Sequence, residues 1–214
     1  KLDLASWGEK RMQPGIIETG EIKKEDTLAE NIRKAVSEVK GVRLKTKYVV
    51  VSLPEEKSFL QVIQMPKMSK EELESSIYYE AENYIPLPID KVYLDFQVIK
   101  PIQDHLDHTD VLINAIPKET IDPYVRSLKK AGLKPKVLEI ESQAVIRALV
   151  KNSVSFSPLL LIDIGENRTS FIIFSGHSLR FTFSLPLSSK KITQAIADKL
   201  GIDFSQAEKI KKNY

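Results

Sequence analysis

The stretch that most constrains this chain runs from Pro158 to Phe174, PLLLIDIGENRTSFIIF. Its two apolar runs, 159–164 and 169–174, are each long enough for a buried strand. Gly165, Glu166, Asn167 and Arg168 lie between them and predict a tight polar turn that closes a hairpin. Asp163 is the single charge inside the first run. A carboxylate there needs a partner, either the turn's own backbone N–H groups or a cation carried by a ligand. Gly165 removes a side chain where a phosphate could approach the backbone, and Thr169 adds a hydroxyl. On these residues alone an Asp that caps a turn and an Asp that faces a ligand both stay open.

Composition narrows the setting. A chain of 214 residues has room for one large domain or two small ones, each with a real core. The net charge of +3 is too small to argue for nucleic acid, and no clustered basic-aromatic stripe is visible in the sequence. The absence of cysteine excludes disulfides and thiolate metal sites, and suits a reducing compartment. No apolar run approaches the ~20 residues of a membrane span. No signal peptide is visible. The strand-like start at Lys1 and the helix-like end at Tyr214 both read as cuts.

Along the chain, residues 1–12 are weakly strand-like. Leu28, Ile32, Ala35, Val36 and Val39 fall at helical spacing, with Gly41 placed as the C-terminal cap. Residues 48–53 read as a buried strand closed by Pro54. A strand over 59–65 follows, and Ser69 with Glu72 forms a capping box for a helix carrying Leu73, Ile77, Ala81 and Tyr84 inward to Pro86. Val92, Leu94, Phe96 and Val98 alternate as a strand, and 111–116 makes another. A helix places Ile121, Tyr124, Val125 and Leu128 on one face, with Gly132 after it. Strand, helix, strand, strand, helix makes residues 57–131 a module of its own. Beyond it, 137–140 predicts a strand and 142–150 a helix. After the hairpin come a strand over 179–185 and a helix over 188–200 whose apolar face is Ile192, Ala195, Ile196 and Leu200. Asp203 and Ser205 start a last helix.

Several of these segments resemble the PilM family of type IV pilus assembly, relatives of the division protein FtsA. The resemblance lies in VVVSLPEEKSFLQVIQMP (49–66), EELESSIYYEAENYIPLP (71–88), VYLDFQVI (92–99), AGLKPKVLEIESQAVIRAL (131–149) and LLLIDIGENRTS (159–170). It covers essentially the whole chain, and the first three segments are the more diagnostic. It implies an α/β, actin-like (ribonuclease H-like) fold with an inserted α+β subdomain of the 1C type. Residues 1–56 and 132–150 would form part of subdomain 1A, 57–131 the 1C insert, and 151–214 the start of subdomain 2A. The first phosphate loop would precede Lys1, and the adenosine-contacting segment would follow Tyr214.

The resemblance further implies ATP and Mg as cofactors. Asp163, Gly165, Asn167 and Thr169 match the second phosphate loop, the acid meeting magnesium through water. Glu141, where a strand ends and a helix begins, matches an acid that helps position metal or water; a helix-start cap is the alternative for it. Glu166 and Arg168 depart from the small, neutral residues of that turn. A carboxylate within ~6 Å of a phosphate opposes binding while a guanidinium helps it. That departure favours ATP binding with weak or no turnover. The implied partner is the N-terminal cytoplasmic tail of PilN, held as an extended peptide between 1A and 1C. Other inner-membrane pilus assembly proteins and self-association follow from the same resemblance, as does a cytoplasmic place on the inner face of the membrane. The alternatives on this superfamily fold are an FtsA-like division protein and an active ATPase or sugar-kinase-like enzyme.

Asp104, His105, Asp107, His108 and Asp110 offer metal-ligand types, but in a polar connection without helical pattern they read as a solvated loop. His177 reads the same way. Lys190, Lys191, Lys209, Lys211 and Lys212 read as a solvated face, with anionic lipid only weakly encoded at that density. Tyr78, Tyr79 and Tyr84 read as core and rim.

Overall fold

The computed structural model describes residues 4–100 and 107–213. The chain opens with β1 (Ser6–Trp7), β2 (Ile17–Glu18), β3 (Glu21–Ile22), α1 (Glu25–Ser37), β4 (Lys40–Gly41) and β5 (Tyr48–Leu53). It continues through β6 (Phe59–Pro66), α2 (Lys70–Ala81), β7 (Val92–Val98), β8 (His108–Pro117), α3 (Lys118–Lys130), β9 (Lys134–Ile140) and α4 (Glu141–Leu149). Last come β10 (Ser155–Ile164), β11 (Thr169–Gly176), β12 (Ser178–Leu185), α5 (Ser189–Leu200) and α6 (Phe204–Asn213). The chain divides into two compact units. One comprises Lys1–Leu60, Lys67–Gln97 and Ile113–Ala144; the other comprises Gln61–Pro66, Val98–Leu112 and Val145–Tyr214.

In the first unit, α1 carries Glu25 and Asp26 in its first turn, where acids complement the helix dipole, and buries Leu28 and Ala29. It ends at Ser37, the Glu38 amide donating to Lys34 O at 2.9 Å, so Gly41 is not its cap. Gly41 instead sits in β4 at φ +95°, where an added Cβ would lie 2.3 Å from Ala5 O. That backbone approach, forced by the β1–β4 pairing, is what requires glycine.

α3 ends as its sequence dictates. Gly132 takes φ +85°, its amide reaches Lys129 O at 2.9 Å, and the Leu133 amide reaches Leu128 O at 3.0 Å. This is a Schellman end, and it turns the chain straight into β9. β9 then lies parallel to β5, from Tyr48↔Lys134 to Leu53↔Ile140. A parallel pair needs a long crossover, and everything from β6 to α3 supplies it. β5 is not wholly buried as expected. Its burial alternates, with Tyr48 and Val50 exposed and Leu53 buried.

α2 starts on the predicted capping box, with Glu72 N donating to Ser69 Oγ at 3.2 Å and Ser69 N to Glu72 Oε2 at 2.8 Å. Leu73, Ile77 and Ala81 are buried as the spacing requires. The helix stops at Ala81 rather than reaching Pro86. Tight bonds from Asn83 N to Glu80 O and from Tyr84 N to Ala81 O close its end. Tyr84 therefore leaves the apolar stripe, and with Tyr78 and Tyr79 it is exposed rather than core. β6, β8 and β7 form a sheet in that order, separate from the β5–β9 pair. Its central strand reads as one, burying Val111, Leu112, Ile113, Ala115 and Ile116.

In the second unit β10, β11 and β12 form an antiparallel sheet. The first hairpin runs from Leu159↔Phe174 to Ile164↔Thr169. The two apolar runs are strands, but not fully buried ones. Ile172, Phe174 and Leu179 are buried, whereas Leu160, Ile162, Ile164, Phe181 and Phe183 are exposed. α5 likewise shows a face other than the expected one. Thr193 and Ala197 are buried while Ile192 and Leu200 are exposed. Its partner α6 presents polar groups, Glu208 and Lys211, so the packed stripe is centred on a threonine.

Removing the Ser69 hydroxyl deletes one half of the capping box. Ser69→Ala is expected to cost about 1 kcal/mol, read as a lower urea midpoint with an unchanged slope.

Candidate functional site

The turn between β10 and β11 is built from its own backbone and from α5. Gly165 N donates to Arg168 O at 2.8 Å, and a Cβ at Gly165 would meet that same oxygen at 3.0 Å. The first amides of α5 are used here as well, Ser189 N reaching Gly165 O at 3.0 Å and Lys190 N reaching Glu166 O at 3.1 Å. Ser188 caps the helix by accepting from Lys191 N at 3.2 Å. Among the described residues no backbone carbonyl receives the Glu166 or Asn167 amide.

Asp163 pairs with Ser170 in the ladder two positions from this turn, and it is exposed. Among the described residues no group donates a hydrogen bond to its carboxylate, and the Gly165 amide goes to Arg168 O. Of the two readings of Asp163, the turn cap is thus not what the structure presents. Thr169 is only 3% exposed on the central strand, between Ile164 and Leu185. Asp163, Gly165, Asn167 and Thr169 are brought together by one hairpin. Glu141 belongs to the other unit, as the first residue of α4, half-buried and with a partner of its own.

No group of three or more His, Asp or Glu side chains arranged to hold a metal ion occurs among the described residues. A lone carboxylate next to unpaired amides suits magnesium brought in on phosphates, since that ion keeps waters and takes one or two protein carboxylates. It does not suit an all-protein metal cage.

Beneath the turn, α5 is fastened to α6 by a network the sequence did not disclose. Lys211 Nζ donates to Ser189 Oγ at 2.6 Å and to Thr193 Oγ1 at 2.7 Å, and pairs with Glu208 at 2.7 Å. Lys211 is therefore not part of a solvated face. The Lys211 ammonium, followed by the Thr193 hydroxyl, holds the Glu208 carboxyl down at about 2.

His108 and Asp110 also depart from the loop expected of them, because they lie on β8. His108 Nδ1 is 2.9 Å from Asp107 Oδ1, and its Nε2 is 3.1 Å from Gln64 Nε2. Asp110 receives Arg180 Nη1 at 2.9 Å. Asp104 and His105 lie outside the described residues.

The first unit contains a groove of about 570 Å³. Leu53 of β5, Leu138 of β9 and Gln143 of α4 line it, together with Tyr93, Leu94 and Asp95 of β7. Asn114 and Ile116 of β8 and the α3 face Ile121, Asp122, Val125, Arg126 and Lys129 complete it. The Asn114 Oδ1 atom is buried there without a hydrogen-bond partner. Among the described residues β7 is paired with β8 on one side only. Tyr93 donates to Asp122 at 3.0 Å, and that neighbouring carboxylate pushes the phenol up from its ordinary range.

A family model described as type IV pilus assembly protein PilM matches residues 1–214. A solved PilM-PilN type IV pilus biogenesis complex is similar over 96% of this chain, with a TM-score of 0.79 and 31% identity. The chain spans 61% of that structure's chain. The cell division protein FtsA of Helicobacter pylori (strain ATCC 700392 / 26695) is 26% identical over 97 residues, 45% of this chain and 20% of FtsA. The expected actin-like α/β fold class is the one observed.

The Glu208 shift has a sign that can be measured. Its pKa lies lower in the folded state than its ordinary 4.5, so the stability it adds is present above pH 4.5 and is lost as pH falls toward about 2. Glu208→Gln should lack this dependence. The stability gap between wild type and variant is expected to narrow through that window in denaturant titrations.

Proposed function

The chain belongs to the PilM family of type IV pilus assembly proteins, and from that premise we propose that it is a scaffold that docks an extended PilN peptide and grips Mg-ATP. The observation that carries the first half is the groove beside β7, a strand paired on one side only among the described residues. The unpaired edge of β7 provides backbone groups for strand addition, and Leu53, Leu94, Val125 and Leu138 provide apolar pockets for alternate side chains. The similar PilM structure is a complex with PilN, which supports that partner for this chain. No helix of the described residues is long and apolar enough to cross a membrane. A docked PilN would be one tie of the protein to the inner membrane.

The second half rests on Asp163. It is the one acid in its strand, it is exposed, and no described group is spent on it. The free Glu166 and Asn167 amides would face the phosphates, as backbone nests do. Magnesium would supply charge neutralisation of those phosphates. Glu166 in the same turn opposes phosphate charge, and Arg168 of that turn offsets it.

Two experiments test the two halves separately. In fluorescence anisotropy with a labelled N-terminal PilN peptide, Val125→Glu is expected to weaken binding by tenfold or more, about 1.4 kcal/mol, with little change in melting temperature. Unchanged affinity would remove the groove from the reading. In thermal shift on the intact protein, Asp163→Ala is expected to abolish the stabilisation by Mg-ATP while leaving the apo melting temperature near wild type. A preserved ligand shift would leave the hairpin as structure only.

A further inference from the structure

The strongest unexplained feature lies in the first unit, away from the groove. Segments 39–48 (VKGVRLKTKY) and 131–137 (AGLKPKV) carry Lys40, Arg43, Lys45, Lys47, Lys134 and Lys136 without a single acid, although the whole chain is only +3. The fold sets these segments side by side. Tyr48 is in register with Lys134, whose amide donates to Lys47 O at 2.7 Å, and Trp7 is in register with Lys40. Residues 41–48 are exposed throughout. Two aromatic rings are drawn in, Lys40 Nζ lying 4.6 Å from the Trp7 ring centre and Lys136 Nζ 4.8 Å from that of Tyr48. Val42 and Leu44, 62% and 42% exposed, stand among the cations. Arg33 and Arg43 flank a cavity of about 440 Å³ whose apolar lining includes Val36, Val39 and Leu44. The sequence hides this basic-aromatic surface because its two basic segments are more than eighty residues apart.

We propose that this face rests directly on an anionic lipid bilayer. Cations near such a surface each contribute to attraction, tryptophan and tyrosine settle at headgroup depth, and small aliphatic side chains insert beneath them. The arginine-flanked cavity with apolar lining has the chemistry of a lipid phosphate above its glycerol. The inference is independent of the peptide groove and of nucleotide.

Trp7 is the only tryptophan of the chain and serves as the probe. The protein is mixed with phosphatidylcholine vesicles containing roughly 30% phosphatidylglycerol, and in parallel with pure phosphatidylcholine, at about 0.15 M salt. The expected result is sedimentation with the anionic vesicles, at least about tenfold stronger than with neutral ones. It should come with a blue shift of Trp7 emission and a steep loss at high salt. The triple variant Arg43→Glu, Lys45→Glu, Lys47→Glu should lose tenfold or more of this binding, with its far-ultraviolet dichroism unchanged. Equal binding to both vesicles, or no Trp7 shift on the anionic ones, would overturn the proposal even if the triple variant failed to fold. So would binding of a single-stranded oligonucleotide that the triple variant loses, with no vesicle binding.

Discussion

Two backbone hydrogen bonds, from Ser189 and Lys190 to the carbonyls of Gly165 and Glu166, tie the β10–β11 turn to the start of α5. Much of the second unit's chemistry depends on them. They satisfy helix amides that would otherwise point at solvent, and they fix where α5 begins relative to the hairpin. Lys211 then holds α5 to α6 by bonding Ser189 and Thr193 and pairing with Glu208. The turn is thus positioned by a helix pair rather than by its own four residues. Those residues close on one another through Gly165 and Arg168, and Asp163 beside them keeps a solvent-exposed carboxylate.

What was legible in the sequence follows from how local each signal is. The hairpin was readable because Asp163, the polar tetrad and two apolar runs all lie within one short stretch. The capping box of Ser69 and Glu72 and the helix end at Gly132 were readable for the same reason. Gly41 was misassigned because a glycine after a helix has two explanations. Only the approach of Ala5, distant in sequence, decides between them. The inward face of α5 was misjudged because its partner helix is polar, so the buried stripe runs through Thr193 rather than through Ile192. His108 and Asp110 were read as loop because Arg180, which pairs with Asp110, is seventy positions away. In each failure a long-range partner overrode a sound local expectation.

Thr169 refines the phosphate-loop expectation. A residue on the central strand of a three-stranded sheet has neighbours on both sides, and here Ile164 and Leu185 leave its side chain almost no exposure. The parts of the turn that stay open are the Asp163 carboxylate and the amides of Glu166 and Asn167. On the proposed reading, recognition of phosphate would rest on backbone and one acid rather than on the hydroxyl.

The parallel pair β5–β9 connects the two surfaces of the first unit. Leu53 and Leu138, toward the carboxyl ends of these strands, line the groove, whereas Tyr48 and Lys134 at the amino ends belong to the basic face. Ligands of parallel sheets gather at the carboxyl ends, and the groove obeys that rule. Six residues of strand span about 20 Å, which sets the distance between the two surfaces. A tail leaving a bilayer beneath the basic face would need at least about six extended residues to reach the groove. Strand length would then fix the depth in the partner's tail at which its anchoring side chains must lie. A shorter tail could not engage the groove while the basic face stayed on the lipid, so the two contacts would be coupled through strand geometry alone.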